Sequence, residues 1–176
     1  MDKYFFSAVN SALDKDWDGV ISDLNQALLL NHDGPRAEAS LYAMRGEAWR
    51  EKADYEKAIA DYLKAIRVDP SKASLYTALA RVRIDAADTD DALEDCERSI
   101  ELDPEDATSY QIRGEVRMAR KEYELAIADF TRSLELSSEQ KFPQAALKLR
   151  AQAYHAIGKD ILADANDTKF AESLKK

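Results

Sequence analysis

The 176-residue sequence contains five Gly and four Pro, too few for the many tight turns of a sheet-rich protein, so an all-β architecture is excluded. Its single cysteine, Cys96, cannot form an internal disulfide and fits a reducing, intracellular setting. No window approaches the roughly 18 apolar residues of a membrane span, and Met1 to Phe6 is not a basic segment leading into a long apolar core. The expectation is a soluble, cytoplasmic protein. Runs of Lys and Arg are also missing: 25 basic against 34 acidic residues give a formal charge of -9, which repels phosphate backbones, so nucleic acid is not an expected partner. Gly-rich phosphate loops, nucleophile elbows and His-Glu helix motifs are absent, so the expectation is no enzyme and no cofactor.

What is present is 45% apolar and 34% charged residues, against about 25% charged in an average globular chain, a mixture that suits helices with one wet face. The punctuation is periodic. Pro35, Pro70, Pro104 and Pro143 are separated by 35, 34 and 39 residues. Gly46 and Gly114 lie 68 apart inside identical tripeptides, Arg45-Gly46-Glu47 and Arg113-Gly114-Glu115, and Ala58-Ile59-Ala60-Asp61 recurs at 126–129. Each unit of this period holds two apolar-periodic runs of about a dozen residues. In the first clear unit they are Leu41 to Lys52 and Tyr55 to Val68, broken at Ala53-Asp54 and ended by Asp69-Pro70. The spacing predicts antiparallel helix pairs.

The sequence resembles the tetratricopeptide repeat family, whose 34-residue unit reads Trp-x2-Leu-Gly-x2-Tyr, then Ala-x3-Phe, then Pro. The unit from 39 offers Tyr42, Arg45, Gly46, Trp49, Ala58, Tyr62 and Pro70. That from 73 offers Tyr76, Leu79, Ala80, Ala92, Cys96 and Pro104, and that from 107 offers Tyr110, Arg113, Gly114, Ala126 and Phe130. Arg83 and Arg117 depart from the aromatic of the signature, and Ser138 replaces its Pro. The resemblance implies an all-α, right-handed superhelical solenoid of antiparallel helix pairs in one domain, 1–176. Its units are 1–34 (divergent), 39–72, 73–106, 107–140 and 144–176 (divergent), with insertions at 31–34 and 141–143. Small residues at Ala8, Gly46, Ala80, Gly114 and Ala151, with Ala58, Ala92 and Ala126, would let the helices of a unit approach, and Tyr62, Cys96 and Phe130 would fill the space between units.

Several residues invite a chemistry. Asp14, Asp16 and Asp18, followed by Gly19, match the front of a calcium-binding EF-hand loop, but its twelfth position is Asn25 where a bidentate Glu belongs. The repeat register explains the same residues as an interhelix turn and the acidic first turn of a helix. Cys96, His32 and His155 are too scattered for a zinc site. Cys96 fits a buried apolar slot, His32 a loop between units, and His155 the end of a helix. Asn166-Asp167-Thr168 forms a glycosylation sequon, a common chance tripeptide that matters only in a secreted chain. Arg45 and Arg113, with Asp23, Asp61, Asp95 and Asp129 recurring on the second helices, read as repeated structural ion pairs.

By resemblance, the first helix of each unit lines a concave groove that receives a peptide. The matching positions are Phe5 and Val9; Ala43, Glu47 and Arg50; Thr77, Arg81 and Ile84; Gln111, Glu115 and Met118; Lys148, Gln152 and His155. Arg50, Arg81 and Lys148 would meet an acidic or C-terminal peptide. The Lys, Asn and Arg clamp with which one subgroup grips chaperone C-termini is missing, its slots holding Ala43, Glu47, Ala78, Thr108 and Ile112. The expected function is a non-enzymatic scaffold or adaptor for a peptide or protein partner. The alternatives are a secretion-type chaperone holding a client, and a homo-oligomeric assembly through the terminal repeats, where Tyr4, Phe5 and Phe6 at one end and Ile161, Leu162, Ala165, Phe170 and Leu174 at the other lack a further helix to cover them.

Overall fold

A computed structural model describes residues 3–30, 34–137 and 144–173. His32, Ser138, Pro143, Leu174 and most of the two insertions lie outside the described residues. Ten α-helices and no strand occur among those described: α1 (Lys3–Leu13), α2 (Trp17–Leu29), α3 (Pro35–Glu51), α4 (Tyr55–Val68), α5 (Ala73–Asp85), α6 (Thr89–Leu102), α7 (Ala107–Ala119), α8 (Tyr123–Leu136), α9 (Gln144–Ala156) and α10 (Asp160–Ser173).

The chain divides into two compact units, Met1–Ala87 and Asp88–Lys176. In the first, each of α1 to α5 packs on the next; in the second, each of α6 to α10 does so, and α9 also touches α7. Connections of a few residues make the packed neighbours antiparallel.

Helix α4 coincides with the apolar run from Tyr55 to Val68, whereas α3 begins six residues before Leu41. The reason is Pro35, which sits at the first position of α3, where a missing N–H costs nothing, behind Gly34 at φ 87°. Pro70 and Pro104 stand instead just past the caps Asp69 and Asp103 of α4 and α6. Pro35 therefore opens a helix rather than following one, and its 35-residue distance from Pro70 is not a repeat distance.

The turns inside the helix pairs share one backbone solution. Lys15, Ala53, Ala87 and Lys121 have φ between 56° and 61°, and Gly158 has 71°. Each lies in the left-handed region just past the first helix. In the second pair, the Ala53 N–H donates to the Arg50 carbonyl (2.8 Å) and the Asp54 N–H to the Trp49 carbonyl (3.0 Å). The same two bonds form at Lys15-Asp16, Lys121-Glu122 and Gly158-Lys159, satisfying carbonyls that a helix end leaves open. Only one of these five positions is Gly, although left-handed backbone costs a residue with a Cβ roughly 1 kcal/mol.

Two other glycines serve close packing. A Cβ on Gly46 would lie 3.0 Å from the Tyr62 ring, and one on Gly114 would lie 2.6 Å from the Phe130 ring. Each ring thus presses on the glycine of its own pair. Tyr62 also joins Ala58, Leu79 and Val82 in one buried cluster, and Phe130 joins Ala126 and Ala146, so each ring seals two seams at once.

Candidate functional site

The buried charge pairs determine which polar groups remain for a partner. Arg45 of α3 grips Asp61 of α4 through two parallel bonds, Nε to Oδ2 at 2.6 Å and Nη2 to Oδ1 at 2.7 Å. Arg113 of α7 makes the equivalent pair with Asp129 of α8, its Nη2 donating at 2.7 Å. Arg150 of α9 repeats the geometry with Asn166 of α10, Nε to Oδ1 at 2.8 Å. All three pairs span 16 residues. The hydrogen bond to Asp61 holds Arg45 more firmly protonated than a free guanidinium, whereas burial opposite a neutral amide lowers Arg150. These are fold-holding contacts, as the spacing of Arg45 and Arg113 predicts. Asn166 is 6% exposed, and its amide also donates to the Leu162 carbonyl, so the folded chain withholds it from glycosylation.

In the first unit the expected partner-facing residues of α3 and α5 are joined by Arg50. Its guanidinium binds Glu47 (2.7 and 3.0 Å), Glu51 (2.6 Å) and, across to α5, Asp85 (3.0 Å). The Tyr62 hydroxyl donates to Glu47 at 3.1 Å. Burial pushes Glu47 upward, but the bonds and charge of Arg50, the Tyr62 bond and the charge of Arg81 outweigh it and leave the carboxyl below its usual range. Burial, reinforced by the Glu47 charge, pushes the Tyr62 phenol up. Arg50 is thus committed to three carboxylates, a role that its assignment as a contact for an acidic peptide overlooks. Thr77 is 7% exposed, and its hydroxyl turns back to the Ala73 carbonyl at 3.4 Å. Phe5 is half-buried against the cluster around Ala8 and Leu24, and Val9 is exposed on α1.

In the second unit Gln111 and Glu115 of α7 bond one another at 2.9 Å, and Lys148 and Gln152 stand exposed on α9. Because α7 and α9 touch, these four side chains occupy neighbouring first helices. Met118 packs toward the cluster at Phe130, and His155 lies exposed, its Nδ1 2.9 Å from Asp160. That bond and the surrounding aspartates raise the His155 pKa.

The apparent calcium loop is taken apart by the fold. Asp16 caps α2 by accepting the Gly19 N–H at 3.0 Å, and Asp18 pairs with Lys52, the residue just past the end of α3. Gly19 belongs to the first turn of α2, and the sharp turn falls on Lys15. Among the described residues no group of three or more His, Cys, Asp or Glu is placed to hold a metal ion. Cys96 is fully buried, and burial pushes its thiol up to about 12, so at neutral pH it is a protonated apolar filler. One charge feature escapes motif reading: residues 88–106 hold ten carboxylates and one base, Arg98, a span whose net charge equals that of the whole chain.

Two family profiles match the sequence, one described as TPR repeat over residues 46–83 and one as tetratricopeptide repeat over 77–146. The chain belongs to the tetratricopeptide repeat (TPR) family. No curated protein is a significant match. Among solved structures, the TPR chain is similar to MamA 41-end from Desulfovibrio magneticus RS-1, at 16% identity and a TM-score of 0.79, over 96% of this chain and 92% of that one. A MamA crystal structure matches at 20% identity and 0.78, over 99% and 96%. The first TPR domain of human RPAP3 matches at 26% identity and 0.66, over 72% and 97%. The fold is therefore the all-α TPR fold, which supports protein–protein interaction in general and is typically non-enzymatic. No helix among the described residues is long and apolar enough to cross a membrane.

Proposed function

We propose that this TPR chain is a non-enzymatic scaffold or adaptor that binds a peptide or protein partner on the exposed face of its first helices. The observation that carries the reading is the division of labour among polar side chains. Arg45, Arg113 and Arg150 are spent between first and second helices, whereas exposed Lys148 and Gln152, with part-buried Gln111, sit on the adjoining first helices α7 and α9. Amides and a mobile ammonium suit the carbonyls and N–H groups of an extended peptide.

A TPR of RPAP3 that is 25% identical to this chain has been solved bound to an HSP90 peptide, SRMEEVD. The positions of a carboxylate clamp hold Ala43, Glu47, Ala78, Thr108 and Ile112 here, and Arg50 is occupied, which argues for a partner other than an acidic chaperone tail. The test is affinity capture from a native extract followed by mass spectrometry, comparing the chain with an Arg81→Ala/Lys148→Ala/Gln152→Ala variant. The reading expects at least one abundant partner to fall about tenfold or more, the loss of roughly 1.4 kcal/mol. Equal capture by the two would overturn it.

A further inference from the structure

Helix α1 is apolar on two sides. Tyr4, Phe5, Ala8 and Ala12 turn toward the cluster shared with α2 and α3. On the adjoining side Phe6, Val9 and Leu13 are 56%, 36% and 78% exposed, three large apolar groups where a surface helix normally carries charge. Their spacing of three and then four residues is the seam of a helix prepared to meet another helix.

The charges at the two ends of this stripe say what covers it. Exposed Lys3 stands at its start, and exposed Asp14 and Asp16 outnumber Lys15 in the turn at its end. We infer that two copies of the chain pair through this stripe, with their α1 helices antiparallel about a two-fold axis near Val9. That arrangement sets Phe6 of each copy against Leu13 of the other and brings each Lys3 to the Asp14–Asp16 turn opposite, so one complementarity is made twice. A parallel pairing would set like charge beside like. A lipid surface would need cations flanking the stripe, where the turn instead presents carboxylates. The inference goes beyond partner binding by the first-helix face, and its test avoids Val9, the residue it shares with the expected groove.

The test is sedimentation velocity across a micromolar concentration series. The unaltered chain is expected to pass from monomer to dimer, and Leu13→Glu to remain monomeric with an unchanged far-ultraviolet dichroism spectrum. Lys3→Glu, which places an acid at a helix start where it is tolerated, is expected to weaken the dimer about tenfold. Lys3→Glu combined with Asp14→Lys restores it, because the two-fold axis re-forms both pairs. A chain monomeric at every concentration, a dimer indifferent to Leu13→Glu, or a double variant no tighter than Lys3→Glu alone would each overturn the inference. Should Leu13→Glu perturb the spectrum, the charge exchange alone decides.

Discussion

The pairs α3–α4 and α7–α8 carry the same Arg-Gly-Glu tripeptide and the same Ala-Ile-Ala-Asp segment, yet they settle their buried aspartates differently. Asp61 takes Arg45 and the half-exposed Lys64. Asp129 takes two guanidinium groups, Arg113 and Arg117, exposed only 18% and 15%. Where the first pair has Trp49, with Lys57 stacked 4.4 Å over its ring, the second has Arg117. Where the first has Tyr62 bonded to Glu47 and braced by Arg50, the second has Phe130 and Met118. The ring against glycine and the Arg-to-Asp bridge are therefore the common frame. The network centred on Arg50 belongs to the first pair, since Met118 stands at the equivalent position of the second.

The largest effects come from breaking the bridges. Asp129→Ala strands two largely buried guanidinium groups and is expected to destabilise by about 3 kcal/mol or more in denaturant titrations. Asp61→Ala costs less, because Lys64 can turn to water. Arg113→Leu, which leaves Asp129 its second arginine, costs less than Asp129→Ala; the reverse order would contradict the bridge as described.

Next in size are the seams. Gly114→Ala must displace the Phe130 ring and is expected to cost about 1–2 kcal/mol despite the helix propensity gained. Gly46→Ala, with its Cβ at 3.0 Å from a ring that has more room, stays within about 1 kcal/mol of neutral in the same denaturant titrations. In the opposite direction, Ala53→Gly and Lys121→Gly relieve left-handed strain at equivalent turns and each stabilise by about 0.5–1 kcal/mol. Equal gains in the two pairs would show that their turns are the same device.

The smallest effects are titrations. Tyr62→Phe makes the first pair resemble the second and is expected to cost about 0.5 kcal/mol, since Glu47 is itself half-exposed. Glu47 titrates below its unfolded value, so its contribution is complete above about pH 4.5 and is lost as pH falls through the folded value. Tyr62→Phe should raise that value in a carbon-detected NMR titration. His155 shifts the other way. Its folded value lies above the unfolded one, so its contribution is complete below about pH 6.5 and vanishes as pH rises through the folded value. Asp160→Asn is expected to lower the His155 midpoint in the same kind of experiment.

Much of the fold was legible because packing repeats. Gly46 and Gly114 recur 68 residues apart since each must admit a ring, and Arg45 and Arg113 carry an acceptor with them since a half-buried guanidinium needs one. The turns were less legible: many residues other than Pro and the β-branched ones can occupy a left-handed position at modest cost, so Lys15, Ala53, Ala87 and Lys121 share no side-chain signature. The pairing of Arg150 with Asn166 has no such signal in the sequence, because an amide replaces the acid. At the candidate site the resemblance names first-helix positions, but it does not reveal that Asp85, 35 residues away, occupies Arg50, nor that Thr77 is covered. Such saturation depends on distances that only the packed chain sets.

The central claim is that charges between helices hold the fold while the first-helix face meets the partner. Photo-crosslinking tests it most directly, with the reactive residue placed in turn at Gln111, Gln152 and, on the second helix α8, at the exposed Leu125 and Arg132. The account predicts that the captured partner is crosslinked from Gln111 and Gln152 and not from Leu125 or Arg132. Crosslinks from α8 alone would contradict it.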